Sequence, residues 1–514
     1  MASVKPIRPR TKIVTLPAPV GGWNARDAYA EMEPTDAVVL RNYFPTTTSV
    51  ALRYGHTQFS TGMSGQSDSL LAYSGTSTNK FFSANVGGRI YEITSGGAVG
   101  AADVTGLTNG RWQYVNVATT GGNYLMAVNG SDKSRFYNGS AWGYDGDGTY
   151  SITGVDSAAC IQINLHKNRV WLIQQNTLLA WYLPTGSIGG AAASLDLRAF
   201  APHGGSLVAM GTWTIDAGYG VDDHAIFITN KGDVIVYRGS DPASASTWQM
   251  VGQWYLGAPV GNRPFIKWKG DLLIICQDGV FPLSAALLSS RLNPKVALTD
   301  KIKKAMTTAV GSYGSNFGWQ LLPFFKENML ILNVPIAVGA TQEQYVMNTI
   351  TGAWAQFQDW QANCWELFND NLYFGGNTIV GRAWNTLSDN SAAIDGLIIQ
   401  AFNTFKEPGQ RKRCTSMRPL FLTNGSPSIF GGMNWDYDLS DTSAALSTTA
   451  TTFGVWDTAV WDTGLWGGGL HPSYRMQNTT GSGWAGAPVF KSTTLGLEVE
   501  LVSNDISLEI GGFL

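Results

Sequence analysis

The chain has 514 residues, of which 14% are charged and 12% aromatic, with 60 Gly, 19 Trp, 19 Tyr and 22 Phe and a formal net charge of −3. This balance excludes a protein that grips nucleic acid through clustered Lys and Arg, and no apolar run approaches the ~18–20 residues that a membrane-spanning helix needs. A charged fraction well below the roughly 25% of ordinary soluble proteins leaves two ways to stay in solution, abundant Ser, Thr and Asn or burial against partner subunits, and burial is favoured.

Residues 1–22 place Lys5, Arg8, Arg10 and Lys12 among Pro6, Pro9, Pro17 and Pro19. Proline fixes φ and biases the residue before it away from the helical region, so this stretch reads as an extended polyproline-type arm. Such an arm clasps a neighbour or stays disordered. No apolar core follows its basic residues, so no secretory signal is expected and folding in a reducing cytoplasm is. Residues 23–68 read as an irregular segment, in which Pro34 to Leu40 predicts a short helical turn with proline at its first position.

From 69 to 400 the chain repeats short hairpin words. Aromatic strand ends recur at Tyr91, Tyr137, Tyr182, Tyr237, Phe281, Tyr345 and Trp384, separated by 46, 45, 55, 44, 64 and 39 residues. That scatter surrounds the roughly 40–50 residues of one four-stranded propeller blade. Asn129-Gly130, Asn138-Gly139, Lys231-Gly232-Asp233, Lys269-Gly270-Asp271 and Asp278-Gly279 lie between the words, where Gly or Asn can take the positive φ of a hairpin turn. Unbroken apolar runs such as Leu272 to Cys276 and Met329 to Leu332 suit strands covered on both faces. One helix interrupts the array: Thr299 can cap it, Asp300 suits its positive end, and Ile302, Ala305, Met306 and Ala309 share one face. Lys301, Lys303 and Lys304 form a solvated face.

Residues 401–514 change character and form a C-terminal β-rich domain, with a basic strand lead at Arg411-Lys412-Arg413 and two closing strands at Gly496–Leu501 and Ile506–Ile510. Trp456, Trp461 and Trp466 stand five apart, a spacing that fits one face of neither a strand nor a helix. They are a folded loop core or anchors for another chain. With Trp23 and Arg26 they make up the candidate partner interface. The fold class is therefore all-β: a β-propeller of four-stranded antiparallel blades, an additional C-terminal β domain and an extended N-terminal arm.

Signatures of common chemistry are missing: GxSxG, GxxxxGK[ST] and HExxH do not occur, nor does the sialidase-type Ser-x-Asp-x-Gly-x-x-Trp box. Cys160, Cys276, Cys364 and Cys414 are scattered, without a CxxC pair, and read as buried free thiols. His56, His166, His203, His224 and His471 form no metal-ligand spacing. Asp222-Asp223-His224 is the sharpest polar cluster and reads as a turn with solvated carboxylates ahead of a catalytic or metal site. Asp145-Gly146-Asp147-Gly148 fails as a calcium loop, since Tyr150 falls where glycine is required and Asp156 where glutamate is. No catalytic residue, cofactor or metal is expected, and the chain is not expected to be an enzyme.

Several words together resemble the β-propeller tail nozzle, or tail tubular protein B-like, family of short-tailed bacteriophages. They are Gly22-Trp23-Asn24-Ala25-Arg26-Asp27 through Asn42-Tyr43-Phe44-Pro45 and Leu52-Arg53-Tyr54-Gly55, Tyr345 through Trp354, Asn371-Leu372-Tyr373-Phe374-Gly375-Gly376, and Leu508 through Gly512. The resemblance implies a structural virion protein of the viral tail, a homo-oligomer in a hexameric ring beneath the portal and adaptor and next to tail fibre or tail tip proteins. It implies a DNA-ejection conduit through which phage DNA passes without specific contacts. The chain is shorter than the longest nozzles of this kind, so no gate residue is carried over. Low charge suits such a wall, because strong phosphate contacts would stall a sliding polyanion, and neutral, aromatic-rich surfaces suit subunit interfaces. The alternative is a carbohydrate-binding or carbohydrate-cleaving propeller, a tail spike or glycosidase, which as an enzyme would need paired carboxylates across its central pocket.

Overall fold

A computed structural model describes residues 10–216, 221–286, 294–446 and 469–511. Strands make up about 52% of it and helices 6%, so the chain is all-β. Two compact units divide it: one holds residues 58–344 and 359–383, the other residues 1–57, 345–358 and 384–514.

The first unit is a propeller of small sheets whose innermost strands are Ser67–Tyr73, Gln113–Thr119, Cys160–His166, Leu207–Asp216, Phe265–Trp268, Gln320–Phe324 and Cys364–Phe368. Blades two, three and four have four antiparallel strands each, and blade five has three among the described residues. The aromatic words mark a fixed place in this plan. Tyr91, Tyr137, Tyr182, Tyr237 and Phe281 lie on the third strand of blades one to five, and Trp384 directly follows the third strand of blade seven. Tyr345 lies on Glu343–Asn348, where the chain passes into the other unit. The widest gap, from 281 to 345, holds the helices Leu283–Ala286 and Lys303–Tyr313.

Alternation along each strand explains the unbroken apolar runs. In blade two, Leu125 and Ala127 pack with Leu71, Phe82 and Ile90 of blade one, while Met126 and Val128 pack with Ile163, Val170 and Leu172 of blade three. Likewise Ala225 and Phe227 face Trp171 and Tyr182 of blade three, and Ile226 and Ile228 face Leu272 and Ile274 of blade five. Successive side chains point to opposite faces, and in a propeller both faces are core.

The circle closes through one long strand. His56–Tyr73 has 18 residues; its later half is the innermost strand of blade one, and its earlier half, which pairs at Ser60 and Thr61 with Gly97 and Ala98, lies in the sheet of blade seven beside Asn377–Ala383. Met63 is buried where the two meet, among Leu70, Phe81 and Tyr91 of blade one and Cys364, Phe368, Tyr373 and Val380 of blade seven. This strand accounts for part of the segment expected to be irregular.

The second unit contains two sheets. In one, Asp36–Arg41 lies between Trp354–Phe357 and Ile394–Gln400, followed by Gly486–Thr494 and Ser428–Trp435. In the other, Val499–Ile510 lies between Lys412–Thr423 on one side and Arg10–Pro17 and Val50–Leu52 on the other. Phe421 and Phe490 meet edge to face at 5.5 Å between the sheets. The β-rich C-terminal domain thus takes strands from the N-terminal segment and from residues 345–358 as well, because its sheets are completed by partners hundreds of residues away.

Four local expectations change. Arg10–Pro17 of the arm pairs residue for residue with Ser503–Ile510 of its own chain; residues 1–9 lie outside the described part. Asp36–Arg41 is a strand and not a helical turn, since β-branched Val38 and Val39 fill a slot between two strands. The two closing strands are one, Val499–Ile510, held straight by an equally long partner, Lys412–Thr423, whose ladder absorbs irregularities at Cys414 and Leu420. The helix does bury Ile302, Met306 and Ala309, but Thr299 makes no side-chain cap; its hydroxyl accepts the Val280 N–H at 3.1 Å.

Candidate functional site

All seven innermost strands, or the residues leading into them, contribute to one cavity of about 170 Å³ on the propeller axis. Its lining includes Leu70, Gln113, Tyr114, Gln162, Ala209, Arg263, Gln320 and Glu366. The glutamines are there for a structural reason. Innermost strands of neighbouring blades are too far apart for a continuous ladder, so side-chain amides bridge them. Gln162 donates to Met210 O at 3.1 Å and accepts from Met210 N at 3.1 Å. Gln320 does the same with Trp365, at 2.8 and 3.0 Å. Gln113 donates to Ile161 O at 3.2 Å.

Arg263 crosses the centre. From the entry to blade five, its Nη2 donates to Ser69 Oγ at 2.7 Å and to Trp112 O at 3.0 Å, on blades one and two, while Nη1 donates to Gln320 Oε1 at 3.2 Å on blade six. Gln113 also reaches across, donating to Asn262 O at 2.7 Å. Blade five neighbours neither blade one nor blade two, so these bonds span the axis and close it.

Glu366 is the sole carboxylic acid among the described lining residues. Burial raises its pKa to about 7, against the opposing pull of the Leu367 N–H at 3.0 Å, the Tyr114 hydroxyl and the Arg263 guanidinium. Burial and the neighbouring Glu366 push the Tyr114 phenol well above its ordinary value. Close by, burial raises Asp68, which Arg111 approaches at 3.7 Å and Gln66 at 2.7 Å. A single carboxyl group with a guanidinium and a phenol can bind and hold a proton; it is not the carboxylate pair of glycoside hydrolysis.

The residues singled out in the sequence are dispersed. Trp23 is half-buried and packs edge-on against Tyr345 at 5.1 Å. Arg26 is exposed, its Nε 2.8 Å from Asp27 Oδ1. Trp456, Trp461 and Trp466 lie outside the described residues. Asp222-Asp223-His224 sits on the strand Val221–Thr229 rather than a turn, because its register continues opposite Trp213 to Ile215. Burial there opposes the Asp223 charge, but the Thr214 hydroxyl at 2.7 Å and the Lys167 ammonium at 3.2 Å outweigh it and lower the pKa. Asp145 and Asp147 organise their own loop: Asp147 accepts the N–H groups of Tyr144, Thr149 and Tyr150, and Asp145 accepts from Ile152 N and Ser157 Oγ. The four cysteines are buried and free, and burial raises their thiols. Among the described residues no group of three His, Cys, Asp or Glu is placed to hold a metal.

The cavity residues Gln113, Gln162, Arg263, Gln320 and Glu366 were not legible as a site. One signal existed: Gln113 and Gln162 are 49 residues apart, close to the blade period, and sit at the same place on successive innermost strands. Arg263 and Glu366 carry no such mark.

No protein-family model matches the chain, and no curated protein matches it. Among solved structures, it is similar to BBS1N in complex with ARL6DN, soaked with mercury, at 9% identity and a TM-score of 0.41 over 64% of this chain and 96% of that one. The same complex soaked with lead aligns at 10% identity and a TM-score of 0.39 over 66% and 99%.

Proposed function

We propose that this chain is a structural subunit of the tail nozzle of a short-tailed bacteriophage, without catalytic activity. The observation that carries this reading is the convergence of four of the words that suggested it; residues 371–376 lie in the first unit. Residues 22–27, 42–45, 52–55 and 345–354 are far apart in sequence, yet all belong to the second unit and build one cluster there. Trp23 packs on Tyr345, the Gly22 Cα lies so close to Trp354 that a Cβ would stand 2.6 Å from its carbonyl oxygen, Asn348 donates to Pro45 O at 2.8 Å, and Arg53 donates to Asn42 Oδ1 at 3.0 Å. Words that pack on one another form a single motif, and a single motif is stronger support for a family than four separate matches.

In this reading the subunits form a hexameric ring in the virion tail, between the portal and adaptor above and tail fibre or tail tip proteins below. Phage DNA passes through the lumen without specific contacts. Arg263 and Asn262 bridge the propeller axis, so this reading puts the DNA between subunits and not through a single propeller. The sparse charge of the chain suits both the lumen wall and the subunit contacts.

Electron microscopy of the purified full chain, alone and mixed with portal–adaptor complexes, tests the proposal. Rings with an open lumen that attach to the adaptor are the expected result. Monomers that bind or depolymerise capsular polysaccharide would overturn it in favour of the carbohydrate-acting alternative. Deleting residues 1–9 leaves the paired strand Arg10–Pro17 in place, so a loss of attachment in that variant assigns a clasping role to the arm, and unchanged attachment denies it.

A further inference from the structure

We propose that the axial cavity of the propeller is a binding site for a small hydroxy- or keto-monocarboxylate, whose carboxylate meets Arg263 and whose second polar group meets Glu366 and Tyr114. This inference concerns the propeller unit alone and stands apart from the nozzle reading.

The cavity's 170 Å³ corresponds to roughly six water molecules at ~30 Å³ each, the space of a lactate-sized molecule with little water to spare. The wall combines apolar Leu70, Phe265, Ile266 and Leu321 with a few convergent polar groups, the composition of small-molecule sites. The amides of Gln162 and Gln320 are spent on backbone partners. Arg263 is not saturated: its Nη2 and one Nη1 N–H are engaged, while Nε and the second Nη1 N–H have no protein acceptor among the described residues. A guanidinium fixed on the axis with donors to spare is a fitting partner for a carboxylate.

Charge selects the ligand class. The titratable and charged groups about Glu366 are Tyr114 and Arg263, with Tyr373 opposite it in register on the adjoining strand. Asp68, paired with Arg111, adjoins Arg263. When Glu366 is ionised it offsets Arg263 and repels an anion. When it is protonated the cavity offers an O–H donor and an uncompensated guanidinium, which suit one monoanion with a hydroxyl or carbonyl group beside its carboxylate. Binding is therefore linked to uptake of one proton, and the affinity falls as pH rises through about 7.

Isothermal titration calorimetry of the full chain with L-lactate, pyruvate and, as a neutral control, glycerol tests this. The expected result is binding of lactate or pyruvate at pH 6 that weakens about tenfold at pH 8, with close to one proton taken up per ligand at pH 8, where Glu366 starts ionised, when buffers of different ionisation enthalpy are compared. Glu366→Gln should bind with equal affinity at both pH values, and Arg263→Gln should lose binding. If Arg263→Gln fails to fold, the Glu366→Gln comparison decides alone. Absence of lactate and pyruvate binding at millimolar concentration, glycerol binding as tight as lactate, or a tenfold pH dependence that survives in Glu366→Gln would each overturn the proposal.

Discussion

Replacing Arg53 by Ala should destabilise the second unit by about 3–5 kcal/mol, the usual cost of leaving one member of a buried ion pair behind. The Arg53 side chain is fully buried, and its five N–H donors all have acceptors. Nη2 reaches Asp389 Oδ2 at 2.6 Å and Gln358 O at 2.7 Å, Nη1 reaches Asp389 Oδ1 at 2.9 Å and Tyr54 O at 3.0 Å, and Nε reaches Asn42 Oδ1 at 3.0 Å. Those acceptors come from four separate stretches of chain, so the guanidinium ties them together at one point. Arg53→Lys should recover little, because an ammonium cannot reproduce a planar five-donor fork.

The same site predicts an acid limit. Burial opposes the Asp389 charge, but the His56 ring at 3.1 Å and the Arg53 guanidinium outweigh it and hold the carboxyl below its ordinary pKa. A carboxyl group depressed in the folded state stabilises the fold above its unfolded pKa, and the contribution is lost as pH falls through the folded value. The second unit should thus weaken below about pH 4, and Asp389→Asn should weaken it at neutral pH and flatten this dependence. Urea denaturation between pH 3 and 7, with amide exchange of Val50–Leu52 and Ile394–Gln400 to locate the effect, measures both. A loss under about 1 kcal/mol for Arg53→Ala would reduce the pair to the rank of a surface contact.

Met63→Ala should cost the propeller about 2–5 kcal/mol, the range for removing a buried large side chain. Met63 is 3% exposed and stands at the seam where blades one and seven share His56–Tyr73. A cavity there does more than loosen one core. Sheets that circle an axis lose cooperativity when the closing strand detaches, so amide exchange should rise first in Lys80–Asn85 and Asn371–Gly375, on either side of the seam. A similar truncation away from the seam, Met126→Ala between blades two and three, supplies the comparison. Equal destabilisation with exchange confined to the mutated blades would show that the seam has no special role.

Much of the propeller could be read from the chain. The aromatic words fall on third strands because that strand ends each hairpin beside the core of the neighbouring blade, a local requirement met again in every blade. The apolar runs announced strands with two buried faces, and the i, i+3, i+4, i+7 pattern located the helix at Lys303–Tyr313. Ring closure was not readable, because the halves of His56–Tyr73 serve two blades whose other strands lie some 300 residues apart. The cavity was equally hidden: Arg263 and Glu366 are ordinary residues at strand positions, and only convergence on an axis makes them neighbours.

What the sequence alone determined is the repeating unit, since strand period, turn chemistry and aromatic spacing act within tens of residues and need no knowledge of the rest. What the tertiary structure decided is which distant segments complete each sheet. Asp36–Arg41 became a strand, Arg10–Pro17 paired with Ser503–Ile510, and the β-rich C-terminal region gathered partners from the N-terminal segment and from residues 345–358. The physical reason is that backbone N–H and C=O groups must be paired wherever they are buried, and in these sheets the available partner is set by the packed whole and not by local preference.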